Sequence, residues 1–105
     1  MTLMTPEEQV AQGAEVLKNI FEFPNGWLER RYKQYVEVRV ALCTFYMEER
    51  GFNMSQIGRG LNKDHATILH ARVNNSKWSE FDKSYRSVKT AVFNALSAED
   101  LTPMS

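Results

Sequence analysis

The fifteen residues from Ile57 to Ala71, which read IGRGLNKDHATILHA, constrain the fold of this chain more than any other segment. An apolar, glycine-containing stretch leads to a polar cluster at 63–67, and that cluster opens a second run with apolar residues at helical spacing. This order is typical of a helix-turn-helix whose second helix presents polar side chains from its first turn. We therefore predict a small all-α domain built around a central helix-turn-helix.

Capping signals and apolar periodicity place the helices before this motif. Thr5 and Glu8 form a capping-box pattern that predicts the start of a first helix, and the Pro-Asn-Gly sequence at 24–26 ends it. A basic stretch follows, and a central helix is predicted over 36–50. Gly51 is a natural residue to end that helix.

The motif itself and the last helix can be placed in the same way. Asn53 is expected to cap the first helix of the motif, and the second is expected to run from Asp64 to about Val73 and to break at 74–75. A long C-terminal helix is then predicted from an apolar stripe, beyond which the polar tail 97–105 is expected to be flexible. The stripe consists of Trp78, Phe81, Tyr85, Val88, Val92 and Leu96.

Length and composition favour one soluble domain with its core at 28–75. The chain has 105 residues, of which 43% are apolar and 25% charged, and it shows no regular β-alternation. We find no signal peptide and no apolar stretch long enough for a membrane span, so we expect a cytoplasmic protein without a membrane partner. Cys43, the only cysteine, lies in an apolar helical run and is expected to be a buried, reduced thiol.

The charge is zero overall but unevenly distributed. Between residues 27 and 73 there are eight Lys/Arg against five Asp/Glu, and the bases gather before the central helix and around the turn. Arg30, Arg31 and Lys33, followed by Arg39, could be a solvated basic patch or a loop laid along a phosphate backbone. Such a surface predicts modest, salt-dependent affinity for nucleic acid.

The segment 30–73 resembles the DNA-binding C-terminal domain of the bacterial replication initiator DnaA. In that family, Ile-Gly, a Gly-rich turn and Arg or Lys precede Asp-His-Thr/Ser-Thr-Val-x-His-Ala. This chain has Ile57-Gly58, then Lys63-Asp64-His65-Ala66-Thr67, and His70-Ala71. Upstream, Arg31-Tyr32-Lys33 and Val38-Arg39 stand where the family has Ser-Arg-x-Arg and Ala-Arg, and the distance from Arg39 to Ile57-Gly58 matches without a gap.

The resemblance implies double-stranded DNA binding in replication initiation or its regulation, with the second helix in the major groove. It implies that Asp64 and His65 read bases, that Thr67 and His70 contact a base or phosphate, and that Arg39 enters the minor groove. The phosphate contacts would come from Arg31 and Lys33, and we also predict Arg30 and Lys63 as DNA-binding residues. Ala66 stands where the family has Thr or Ser, so that a hydroxyl contact is lost and a methyl group remains to touch a thymine.

The residues alone leave other roles open. Asp64 is as well suited to capping a helix as to accepting from a cytosine amino group, and Thr67 could close that cap. His65 could equally be a solvated surface histidine. His70 lies five residues after His65, so the two imidazoles are not on one face, and we predict no metal site. Ile68 and Ala71 should face the core.

Two further classes of function remain as alternatives. There is no P-loop, no nucleophile paired with a histidine and no paired carboxylates in a pocket-like context, so we expect a non-enzyme without cofactors. One alternative is a transcriptional regulator that forms a homodimer through the C-terminal helix, and the other is a protein-interaction module that has lost DNA binding. A small chain with this domain alone would suit a phage or mobile element.

Overall fold

The computed structural model describes residues 4–101, with side chains through 98, and within that range the chain is all-α, as the sequence predicts. The five helices and one short 3₁₀ helix are α1 (Pro6–Phe21), the 3₁₀ helix (Trp27–Glu29), α2 (Lys33–Glu48), α3 (Met54–Leu61), α4 (His65–Phe81) and α5 (Lys83–Leu101). Helix α1 packs on α3, and α2 packs against both α4 and α5. No helix in the described part of the chain is long and apolar enough to cross a membrane.

The capping box predicted at Thr5 and the cap predicted at Asn53 are both present, and the second is also a full capping box. The Thr5 hydroxyl accepts from the Glu8 backbone N–H at 3.1 Å, and the Glu8 carboxylate accepts from the Thr5 N–H at 2.8 Å. Asn53 and Gln56 exchange the equivalent pair of bonds at 2.8 and 3.0 Å. Each box satisfies backbone donors that a helix start otherwise leaves unpaired, which fixes where α1 and α3 begin.

Helix α2 begins at Lys33, not at the predicted residue 36. The Tyr32 carbonyl accepts from the N–H groups of Tyr35 at 3.0 Å and Val36 at 3.1 Å, so the basic stretch itself forms the first turn. After the helix, Gly51 has a φ of +70°, a backbone conformation that glycine adopts without strain. The predicted end of α2 at this glycine is therefore close to the observed one.

The predicted break at Asn74-Asn75 is wrong, because α4 continues to Phe81. Asparagine disfavours helices mainly by bonding to its own backbone, but the buried Asn75 side chain is engaged elsewhere. Its Oδ1 accepts from the Tyr85 hydroxyl at 2.8 Å and from the Ser79 hydroxyl at 3.1 Å. Because these bonds hold the Asn75 side chain, it does not compete for the helix backbone, and α4 continues past this residue.

The chain breaks instead at Asp82, so the single C-terminal helix predicted from Trp78 to Leu96 is also wrong. Asp82 has extended backbone angles (φ −114°, ψ 102°), and its Oδ1 accepts from the Tyr85 N–H at 3.1 Å at the start of α5. Trp78 and Phe81 therefore belong to α4, and Phe81 is 77% exposed. Helix α5 extends past Ser97 to Leu101, where the sequence predicted a flexible tail; residues 102–105 lie outside the described range.

The apolar stripe of α5 is buried inside this chain. Tyr85 and Val92 have no exposed surface and Leu96 has 2%, so these three side chains are not available to the homodimer surface predicted along the C-terminal helix. They join the core that α2 supplies, which includes Leu42, Phe45 and, as predicted, Cys43. Burial raises the pKa of the Cys43 thiol to about 12, so this group is an unreactive part of the core.

Candidate nucleic-acid interface

The turn between α3 and α4 is short because two backbone bonds close it. Asn62 adopts the left-handed conformation (φ 56°), its N–H donates to the Arg59 carbonyl at 3.3 Å, and the Lys63 N–H donates to the Gly58 carbonyl at 2.8 Å. A Cβ added at Gly58 would lie 2.8 Å from the Lys63 carbonyl oxygen. Glycine at 58 therefore allows the close approach that brings α4 back across α3.

Asp64 is the N-cap of α4, which confirms the capping role considered from the sequence. Its Oδ1 accepts from both the backbone N–H and the hydroxyl of Thr67, each at 2.8 Å. These bonds lower the pKa of the Asp64 carboxyl, with a smaller contribution from the positive charges of His70 and Lys63. The carboxylate is nevertheless exposed, so a cap and a contact to an outside donor are compatible.

The first turns of α4 expose three of the four residues of this helix that were predicted to contact DNA. His65, Ala66 and His70 are exposed and Thr67 is half-buried. On the opposite side of the helix, Ile68 is 1% exposed and Ala71 is 5% exposed, as predicted. The polar side chains of this turn therefore project away from the body of the domain.

Two apolar residues share this outward side, and the sequence analysis did not single them out. Leu69 is 41% exposed and Val73 is 51% exposed. A signal was available, because both follow Ala66 at helical spacing, whereas the buried Ile68 and Ala71 belong to the opposite face. Both residues lie within the predicted helix, but an apolar side chain in a helix is most often part of the core.

Helix α4 is free of acidic residues from His65 to Ser79. Over that stretch the ionisable side chains are His65, His70, Arg72 and Lys77, and all four are exposed. The zero net charge of the whole chain therefore hides a stretch of α4, from His65 to Ser79, in which no exposed side chain is acidic; the exposed Glu80 follows it. Such a surface attracts a polyanion even though the molecule is neutral.

The basic loop, defined here as residues 28–32, leads to a second cationic surface at the start of α2. Arg30, Arg31 and Lys33 are exposed, and Tyr32 between them is 65% exposed. No side chain caps α2 at Tyr32, and its first turn contains no acidic residue. An uncapped helix start beside three cations is a favourable environment for a phosphate group.

Arg39 lies beneath the basic loop, not on its outer surface. One guanidinium nitrogen, Nη1, donates to the Leu28 carbonyl at 2.6 Å and reaches the Arg30 carbonyl at 3.4 Å. Partial burial lowers the pKa of this arginine, although it remains charged. The sequence predicts Arg39 at the head of the central helix, but α2 begins six residues earlier, and the sequence gave no sign of the bonds from Arg39 to the loop.

A second contact ties the basic loop to the helix-turn-helix. The Lys63 ammonium forms an ion pair with the Glu29 carboxylate, and the Lys63 side chain is 20% exposed. Trp27, at the start of the same 3₁₀ helix, is buried. The turn, the 3₁₀ helix and the loop therefore form one connected surface, within which Lys63 has an internal partner.

Lys33 has a different kind of partner within the first turns of α2. Its ammonium lies 3.9 Å from Oε2 of Glu37, and the Lys33 side chain is 68% exposed whereas that of Glu37 is 6% exposed. This Oε2 atom has no hydrogen-bond partner among the described residues. Burial raises the pKa of the Glu37 carboxyl, the Lys33 charge opposes that rise, and Asp82 adds to it.

In comparisons with known proteins, no family model, curated protein or solved structure matches this chain. Among the described residues, no three His, Cys, Asp or Glu side chains are grouped so that they could hold a metal ion.

Proposed function

We propose that this chain is a cytoplasmic, non-enzymatic module that binds double-stranded DNA. The first turns of α4 would enter the major groove, and the basic loop with the start of α2 would lie on the phosphate backbone. The observation that supports this best is the acid-free stretch of α4, which exposes His65, Ala66 and His70 in its first turns. The resemblance to the DnaA C-terminal domain supports a role in replication initiation or its regulation.

Each exposed residue has a role in this proposal. His65 would reach a base edge, and Asp64 would accept from a cytosine amino group while it caps the helix. Thr67 and His70 would contact a base or the sugar-phosphate chain, Ala66 would touch a thymine methyl group, and Arg30, Arg31 and Lys33 would contact phosphates. Lys63 would contribute positive charge close to the groove while it stays paired with Glu29.

We infer a supporting role for Arg39. To enter a minor groove, its guanidinium would have to leave the carbonyls of Leu28 and Arg30, which it now bonds. Holding those carbonyls fixes the path of the basic loop, and the loop in turn presents Arg30 and Arg31. Arg39 would thus contribute to DNA binding through the shape of the loop.

The test is a binding measurement on a duplex selected from random sequences and on a scrambled duplex of the same composition. Arg31→Ala should weaken binding to both duplexes alike and reduce the salt slope by about one. His65→Ala should weaken binding only to the selected duplex, by about 1–3 kcal/mol. Lys18→Ala, a charge change on α1, serves as the control. If wild-type protein binds no duplex at low salt, the proposal is wrong.

Exposed apolar groups favour one other function, that of a protein-interaction module. Phe81, Val73 and Leu69 are the exposed large apolar residues of α4. A protein partner could cover them, and the binding experiment on duplex DNA separates this function from the first. A dimeric transcriptional regulator would use the same α4 contacts, but it would need a dimer surface other than the buried stripe of α5.

A further inference from the structure

The outward side of α4 carries a narrow apolar strip, defined here as Ala66, Leu69 and Val73. Their spacing of three and four residues aligns them on one side of the helix, opposite the buried Ile68 and Ala71. Ala66 is exposed, Leu69 is 41% exposed and Val73 is 51% exposed. Exposed apolar side chains are unfavourable in water, so a binding partner that covers this strip would gain from burying it.

Cationic and polar groups surround the strip. His65 and His70 lie beside its first half and Lys77 lies one turn beyond its end, whereas the first acidic residue after Asp64 is Glu80. A partner that covers the strip should therefore combine apolar groups with negative charge around them. The major groove of DNA has this combination, because thymine projects a C5-methyl group into the groove and phosphates line both edges.

The dimensions of the strip agree with this occupant. From Ala66 to Val73 the helix rises about 10 Å, at roughly 1.5 Å per residue. The major groove is about 12 Å wide, and successive base pairs are about 3.4 Å apart. A strip of this length, one residue wide, can face about three successive base pairs. Protein interfaces of standard size involve about 20–30 residues on each side, far more than this strip supplies.

We propose that Ala66, Leu69 and Val73 contact thymine C5-methyl groups and so select DNA sites with thymines at neighbouring base pairs. This inference rests on the proposed binding of double-stranded DNA and extends the thymine contact of Ala66, in the first turn of α4, to Leu69 and Val73 in the next two turns. Leu69 has the central place, because it lies between the other two. The polar residues of the first turn then set the orientation, and the strip sets the preference for methylated pyrimidine edges.

Replacing thymine by uracil tests this proposal, since uracil lacks only the C5-methyl group. The full chain is titrated into the selected duplex and into duplexes that carry one uracil at each thymine in turn. Each contacted methyl that is removed should weaken wild-type binding roughly fourfold, as expected for one apolar carbon taken out of contact. In Leu69→Asn, the uracil penalty should disappear at one of these positions and persist at the others.

Ile20→Asn is the matched control, because Ile20 is a comparably exposed aliphatic residue, 55% exposed, on α1. This variant should keep the full set of uracil penalties. Equal wild-type affinity for thymine and uracil duplexes would overturn the methyl contacts and leave DNA binding intact, and so would an unchanged penalty in Leu69→Asn. The absence of any duplex binding would overturn the proposed function itself. Sedimentation of wild type and Leu69→Asn adds a third outcome, because a dimer lost on substitution would assign the strip to self-association.

Discussion

The Tyr85 hydroxyl donates a hydrogen bond to the Asn75 side-chain oxygen at 2.8 Å, and this buried bond joins α4 to α5 across the break at Asp82. Both residues are at least nine-tenths buried. Burial also raises the pKa of the Tyr85 phenol, which keeps the hydroxyl proton in place as the donor. This bond thus fixes the last turns of α4 relative to the core.

Removing that hydroxyl should destabilise the domain. Tyr85→Phe keeps the ring and removes the hydroxyl, which donates to Asn75 and also interacts with Thr44, and we expect a loss of about 0.5–1.5 kcal/mol in the free energy of unfolding. Urea titrations provide the measurement. Tyr32→Phe, which removes a hydroxyl from a residue that is 65% exposed, should leave the midpoint unchanged. Equal midpoints for Tyr85→Phe and wild type would show that the bond contributes nothing.

Neutralising Glu37 should stabilise the domain at neutral pH. Because the pKa of this carboxyl is raised in the folded state, the folded chain binds the proton more tightly than the unfolded chain does. Wild type should therefore gain stability as the pH falls through the folded pKa, whereas Glu37→Gln should lack that gain. Urea midpoints measured from pH 4.5 to pH 7.5 test the prediction. Glu48→Gln changes an exposed carboxylate of the same helix, so its urea midpoints should follow those of wild type. A Glu37→Gln protein that is less stable than wild type at pH 7.5 would show that the ion pair with Lys33 outweighs the cost of burying the Glu37 carboxylate.

Arg39 and Arg31 should respond differently to substitution by alanine. Arg39→Ala leaves the Leu28 carbonyl without its donor and should lower the free energy of unfolding by about 1–3 kcal/mol, together with the affinity for DNA. Arg31→Ala removes an exposed side chain and should lower affinity alone. Thermal unfolding and duplex binding of both variants provide the measurement. An Arg39→Ala protein with the stability of wild type but reduced affinity for DNA would instead support a direct minor-groove contact by Arg39.

The choice of substitution at Asp64 separates its helix-capping role from its proposed contact with DNA. Asparagine keeps an oxygen that can cap α4, whereas alanine keeps neither the cap nor the charge. Asp64→Asn should therefore keep the unfolding midpoint near that of wild type and change only the preference between the selected and scrambled duplexes. Asp64→Ala should lower both the unfolding midpoint and the preference for the selected duplex. The Asp64 cap in wild type should weaken as the pH falls through the lowered pKa of this carboxyl. Loss of stability in Asp64→Asn equal to that in Asp64→Ala would contradict this separation.

We expect wild type to be a monomer and Val92→Glu to unfold it. Val92 has no exposed surface, and a carboxylate placed there would have no polar partner from the apolar stripe around it. Circular dichroism should show loss of helix, and sedimentation of wild type should show one monomeric species. A wild-type dimer that Val92→Glu splits into folded monomers would restore the C-terminal helix as a dimer surface.

Local signals in the sequence located the starts of α1, α3 and α4, because each depends on side chains three residues apart. Asp64 with Thr67 is an example, since its donors and acceptor belong to one turn. The exposed positions of His65, Ala66 and His70 followed from the same periodicity. These parts of the fold were predictable because no distant residue decides them.

Contacts between distant residues explain what was missed. Asn75 appeared to end α4 because its partner Tyr85 lies ten residues away, beyond a break that was itself not predicted. Arg39 appeared to be a surface residue because its acceptor is a backbone carbonyl eleven residues earlier, and backbone acceptors leave no mark in a sequence. Leu69 was overlooked because apolar residues in a helix are usually assigned to the core.

The contacts that hold the basic loop have a consequence for the DNA as well. Lys63 fastens the loop to the helix-turn-helix and Arg39 fastens it to α2, so the protein sets the distance between the proposed phosphate-binding loop and the proposed recognition helix. In a protein built this way, the spacing between its two proposed DNA-contacting parts does not adjust to the DNA. If it binds duplex DNA as proposed, groove width would become part of what it measures, and stiff sequences that resist adjustment would be rejected even where every contacted base is correct.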